Sequence, residues 1–134
     1  LLSWEDIKYL HSLGFTIGCH SATHADFKNL NKKQLEHEII DAKKTLEEKL
    51  GFVIDYFAYP KGVYSDKIIN AVKKAGYKAA FGVYPGSINK KTNRFVIPRI
   101  VIDREYSLND FPSLYSQPTL FMRNTIDKFG ILKG

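Results

Sequence analysis

Segments with a helical repeat of apolar residues alternate with short β-rich apolar runs through residues 3–102 of this 134-residue chain, and that alternation limits its fold more than any other feature. Ser3 is a good N-cap, with Asp6 at the reciprocal position of a capping box. Trp4, Ile7, Leu10 and Leu13 follow at helical spacing, and Gly14 suits the left-handed residue that ends a helix. Phe15 to Cys19 (FTIGC) is predicted as a strand. The next helix starts at Asn31 with Gln34 reciprocating; its stripe is Leu35, Ile39, Ala42, Leu46 and Leu50, and Gly51 stops it. A second strand is predicted over Ile54 to Tyr59, closed by Pro60-Lys61-Gly62. Ser65 caps a third helix facing inward through Ile68, Ile69, Val72 and Ala75. Lys78 to Val83 and Phe95 to Ile102 complete the strands, with Pro98 unfavourable for a central position in the last. Such an order predicts an α/β fold, parallel strands with helices on the faces; it does not separate an open sheet from a barrel. Beyond Ser107 the pattern weakens to a short helix over 108–115 and an amphipathic tail helix over 119–129.

Composition narrows the class. The chain is 44% hydrophobic and 25% charged, enough for one core and too short for two. No apolar run approaches the roughly 20 residues of a membrane span. The chain does not open on Met, so the absence of a visible leader carries no information about targeting. The single Cys19 excludes an internal disulfide. The net charge is +6, but the lysine pairs at 32–33, 43–44, 73–74 and 90–91 are dispersed among acidic residues. No nucleic-acid motif accompanies them, so no nucleic-acid partner is expected.

In a parallel α/β fold, ligands gather where strands run into loops at their carboxyl ends. His20 and His24 follow the FTIGC run at that position, and two imidazoles four residues apart can converge on one cation. A catalytic zinc usually takes three protein ligands, so the pair alone is an incomplete site. His11 and His37 read as surface residues of the first and second helices. A zinc peptidase is disfavoured because HSATH lacks the helical His-Glu-x-x-His arrangement that places a base.

The run GCHSATH, the preceding W-x-x-I-x-x-L-x-x-x-G-F, the FAYPKG segment at 57–62, Ala75-Gly76-Tyr77 and Ile97-Pro98-Arg99-Ile100 occur in an order that resembles the NodB-type polysaccharide deacetylases, carbohydrate esterase family four. The resemblance covers residues 3–115 and implies a partial (β/α) barrel of the distorted seven-stranded type, with parallel strands and outer helices. It implies a catalytic domain over 1–115 with its N-terminal part missing, followed by a tail over 116–134. It assigns His20 and His24 to a divalent metal, Zn2+ first and Co2+ or Ni2+ as alternatives. The backbone N–H of Lys61 becomes the oxyanion donor, and Arg99 the residue that orients the catalytic base. Tyr59, Pro60 and Tyr84 become substrate-binding residues. The implied activity is removal of N-acetyl or O-acetyl groups from an envelope or extracellular polysaccharide by a secreted or envelope protein.

Three departures accompany the resemblance. The family's Thr-Phe-Asp-Asp-Gly motif, with its metal-binding and base carboxylates, does not occur and is expected upstream of Leu1. No Leu-x-His motif that would supply a general acid follows Arg99, and Ala58 stands where the family usually has an Arg. Asp26 does not match the family's ligand, and Asp103 is the better substitute. These 134 residues alone are therefore expected to release no acetate at an enzymatic rate. The rival reading is a non-catalytic carbohydrate- or partner-binding module on the same scaffold.

Overall fold

The structure is a computed structural model that describes residues 2–102, 107–109, 112 and 116. The helix expected over 119–129, most of that over 108–115, the tail boundary at 116 and Asp103 fall outside the described residues.

Helix α1 spans Trp4–Ser12 and opens on the expected capping box, Ser3 and Asp6 each satisfying the other's backbone N–H. A long helical rod follows in three pieces. Helix α2 (Lys32–Glu36) starts with a second reciprocal cap between Asn31 and Gln34. A π-helical turn covers His37–Asp41, and helix α3 (Ala42–Leu50) ends at Gly51 with φ 81°. Helix α4 (Asp66–Lys74) is capped by the Ser65 hydroxyl. The caps form as read because each is closed by residues three apart, with no help from distant chain.

The strands are shorter than expected. Strand β1 is Tyr56–Ala58 and β2 is Ala79–Phe81, paired in parallel with Phe57 opposite Ala80. The FTIGC segment contributes a single parallel bridge, Cys19 to Phe57, and the 95–102 segment another, Ile97 to Phe81. Four extended segments thus lie side by side in chain order, as successive βα units require. At the last of them, Ile97 N–H donates to Ala80 O and Ile97 O accepts from Gly82 N–H. The next acceptor in that ladder, Gly82 O, is taken by Arg99 Nε at 2.9 Å, so a side chain ends the pairing.

One face of these strands is packed against the rod and α4. Phe57, Cys19 and Ala80 meet Ile39, Val72 and Ile54 in one cluster of buried residues. Of the expected rod stripe, Leu35, Ile39, Ala42 and Leu50 are buried and Leu46 partly so. The α1 stripe differs: none of its residues is buried, and Trp4 is 42% and Leu13 57% exposed. The helix packs chiefly on α3 at the margin of the fold, so only Ile7 reaches the core cluster.

Candidate functional site

The first extended segment is held in register up to the residue before His20. Cys19 N–H donates to Tyr56 O, and Ala58 N–H donates to Cys19 O, both at 2.8 Å. His20 then turns its ring back onto the sheet, with Nδ1 2.8 Å from Ala58 O. A carbonyl oxygen only accepts, so Nδ1 carries the hydrogen and the Nε2 lone pair is left as a potential ligand. The His24 ring lies beside it, centroids 5.0 Å apart and planes at 68°. Zn–N bonds of about 2.0–2.1 Å at a tetrahedral angle put two ring centroids about 5 Å apart. The observed separation is compatible with the two rings supplying two ligands to one divalent cation. Among the described residues, no group of three or more His, Cys, Asp or Glu side chains could complete such a site.

The loop between the two histidines is not a relaxed one. Ser21 has φ 68° and His24 φ 60°, left-handed conformations that cost an L-residue about 1–2 kcal/mol each. Local bonds hold it: His24 N–H donates to Ser21 Oγ at 2.9 Å. Glu38, from the π-helical turn, accepts from Ala22 N–H (3.0 Å), Thr23 N–H (2.9 Å) and Thr23 Oγ1 (2.6 Å). Its side chain is only 4% exposed. Burial pushes the carboxyl up, but the hydrogen bonds from Thr23 and Ala22 outweigh it and hold Glu38 below its ordinary value, ionised. Sequence reading missed Glu38. The signal was present, since an acidic residue three beyond Leu35 falls on the apolar stripe.

A cleft of about 780 Å³ opens beside His20, and Ala58, Lys61, Val83 and Arg99 also line it. Lys61 sits at the carboxyl end of β1 in a 3-10 turn, Pro60–Gly62, with φ 53° and ψ 15°. Gly62 N–H closes that turn on Tyr59 O at 3.0 Å. Arg99 enters from the last extended segment with its Nε committed to Gly82 O. His24 is beside His20 but does not line the cleft. Asp26 accepts from Lys28 N–H in a local turn, and no carboxylate among the described residues lines the cleft.

One of the aromatic assignments needs correction. Tyr59 is 0% exposed, with its hydroxyl donating to Phe95 O at 2.8 Å, and burial raises that hydroxyl far above its ordinary pKa. A ring enclosed in the core cannot stack on a sugar. Pro60 beside it is buried and shapes the turn. Tyr84 is partly buried, and its hydroxyl donates to Val96 O. The exposed ring of this row is Tyr64, 42% exposed and 5.7 Å from the Tyr59 centroid, which sequence reading passed over. Tyr59→Phe is accordingly expected to cost about 1–3 kcal/mol by orphaning the buried Phe95 carbonyl. Urea unfolding reads that loss, and glycan affinity should not change.

A family model described as polysaccharide deacetylase matches residues 3–80. No curated protein matches the chain by sequence. Solved structures do resemble it. A candidate polysaccharide deacetylase from Bacillus anthracis is 30% identical with a TM-score of 0.76, over 86% of this chain and 37% of its own. A polysaccharide deacetylase from Bacillus cereus is 29% identical with a TM-score of 0.75, over 86% and 37%. The deacetylase PplD of Streptococcus pyogenes, solved with acetate, is 21% identical with a TM-score of 0.77, over 86% and 51%. The chain thus spans between 37% and 51% of the length of these relatives.

Proposed function

The chain belongs to the polysaccharide deacetylase family, and on that premise we propose that it serves a metal-dependent hydrolase removing N-acetyl or O-acetyl groups from an envelope or extracellular polysaccharide. The observation that carries the reading is the pair of imidazoles at a strand end, 5.0 Å apart, with His20 fixed by Ala58 O. A bound divalent cation, Zn2+ first with Co2+ or Ni2+ as alternatives, would acidify a water and polarise an acetyl carbonyl.

The chain's own residues then have distinct tasks. The Ala58 carbonyl holds His20 in the tautomer that presents Nε2. The backbone N–H of Lys61, in the strand-end turn on the same cleft, is the donor proposed for the developing oxyanion. A backbone donor tolerates any side chain, so Lys serves where the family usually has Tyr. Arg99 spends Nε on Gly82 O, which leaves its two terminal nitrogens for a carboxylate. Pairing there would orient a base and keep it ionised at neutral pH. Lys cannot make that planar fork while also bonding Gly82 O, so Arg99→Lys in the full-length protein is expected to lower turnover markedly with little change in KM. Tyr64 takes over from Tyr59 as the aromatic platform for sugar. Among the described residues no helix is long and apolar enough to cross a membrane. A secreted or envelope location follows the family.

The test is acetate release from N-acetylglucosamine oligomers by the full-length protein, stripped with a chelator and then reloaded. Release should vanish on stripping and return with zinc, cobalt or nickel. Release indifferent to stripping contradicts the metal-dependent mechanism. Oligomer binding with no release after reloading favours the binding module.

A further inference from the structure

We propose that Glu38 is a positioning residue, its carboxylate holding the loop between His20 and His24 in the conformation that brings the two imidazoles together. The proposal rests on the reading of that pair as ligands and adds a residue that acts through the loop backbone.

Glu38 is remote in sequence from what it binds: 15 residues from Thr23 and 16 from Ala22. Both amides converge on one oxygen, Oε2, while the Thr23 hydroxyl donates to Oε1 at 2.6 Å. Successive N–H groups aimed at one anion form a small nest, and here the anion is supplied by the protein itself. The tied residues are the two that separate Ser21 from His24, and both flanking residues are left-handed. Holding Ala22 and Thr23 therefore fixes the torsions on either side, and with them the direction in which each imidazole leaves the backbone.

The rod is built to deliver this carboxylate. Glu38 is the buried charged side chain of the described residues, on a stripe otherwise made of Leu35, Ile39 and Ala42. A widened π-helical turn carries it, and Glu38 and Ile39 are both buried there. The Tyr77 hydroxyl donates to Ile39 O at 3.1 Å, which gives that turn an outside partner. A loop needing only attachment could be held by apolar contacts. Three charge-assisted bonds to two adjacent residues fix direction as well as position.

Glu38→Gln in the full-length protein keeps the volume and one acceptor oxygen for the two amides, but it removes the charge that strengthens all three bonds and sets an NH2 group opposite the Thr23 hydroxyl. With no metal added, hydrogen exchange at the Ala22 and Thr23 amides should quicken at least about tenfold, and the His20 and His24 ring signals should shift or double. Zinc affinity should fall by about 10–100-fold. Thr23→Val, which removes one donor and keeps both amides, should move the same readouts less and carries the test if Glu38→Gln does not fold. Glu36→Gln, exposed on the same rod, should move none. Unchanged exchange in Glu38→Gln overturns the proposal. So does a loosened loop with unaltered ring signals and zinc affinity, which would leave Glu38 a structural tie. If the unaltered protein takes up no zinc while the ring signals still move in Glu38→Gln, the ligand reading fails and the positioning of the pair stands.

Discussion

His20→Ala in the full-length protein is expected to lower zinc affinity by a factor of about a hundred or more and to reduce acetate release to background. Structural zinc sites release about 10–16 kcal/mol across four ligands, so one lost imidazole removes about 3 kcal/mol, roughly a hundredfold. The loss is not shared out to neighbours, because no group of three ligand-type side chains surrounds the pair among the described residues. The change should leave the fold intact, since His20 is exposed and its ring bonds a strand-end carbonyl that water can serve. Isothermal titration with zinc, beside urea unfolding of the same variant, separates loss of a ligand from loss of structure. Full zinc affinity in His20→Ala would remove His20 from the site.

Gly62→Ala is expected to be the most damaging glycine substitution beside the cleft. Gly62 has φ 68°, and an added Cβ would lie 2.7 Å from Val83 Cβ and 2.9 Å from Val83 N. The second contact is to backbone, which cannot rotate away as a side chain tip can. Val83 follows β2 and Gly62 follows β1, so relief requires the two strand ends to separate. Overpacking costs about 1–3 kcal/mol, and the left-handed torsion adds about 1 kcal/mol or more. The same movement would displace Lys61 N–H from the cleft, so turnover should fall further than stability accounts for. Urea midpoints together with kcat at a temperature where the variant is folded measure both. A Gly62→Ala protein with unaltered midpoint and kcat would show that the turn relaxes freely.

What was legible in the sequence was what short-range chemistry decides. The Ser3–Asp6 and Asn31–Gln34 boxes and the Gly51 stop each depend on residues a few positions apart, and they stand where the pattern put them. The family was legible for a different reason, since GCHSATH, FAYPKG and IPRI keep their order along the chain. Strand lengths were not, because a ladder needs a partner. FTIGC and 95–102 have the composition of strands yet carry one bridge each. Tyr59 was misread because its burial is set by the Phe95 carbonyl, 36 residues on, and nothing local announces that bond. Glu38 stands out as an acidic residue on the apolar stripe, but what it does there was not legible, because its partners lie across the fold and a π-helical turn leaves no mark in the heptad-like spacing of Leu35, Ile39 and Ala42. Long-range hydrogen bonds made by single side chains shaped the site, and periodicity does not encode them.

Whether His20 and His24 share one cation is read by zinc X-ray absorption on the zinc-loaded full-length protein. A first shell containing two imidazole nitrogens at about 2.0–2.1 Å is expected, with the outer-shell scattering that imidazole rings give, and that scattering should be lost in a His20→Ala, His24→Ala double variant. A shell without imidazole, or one that the double variant leaves unchanged, would contradict a shared cation.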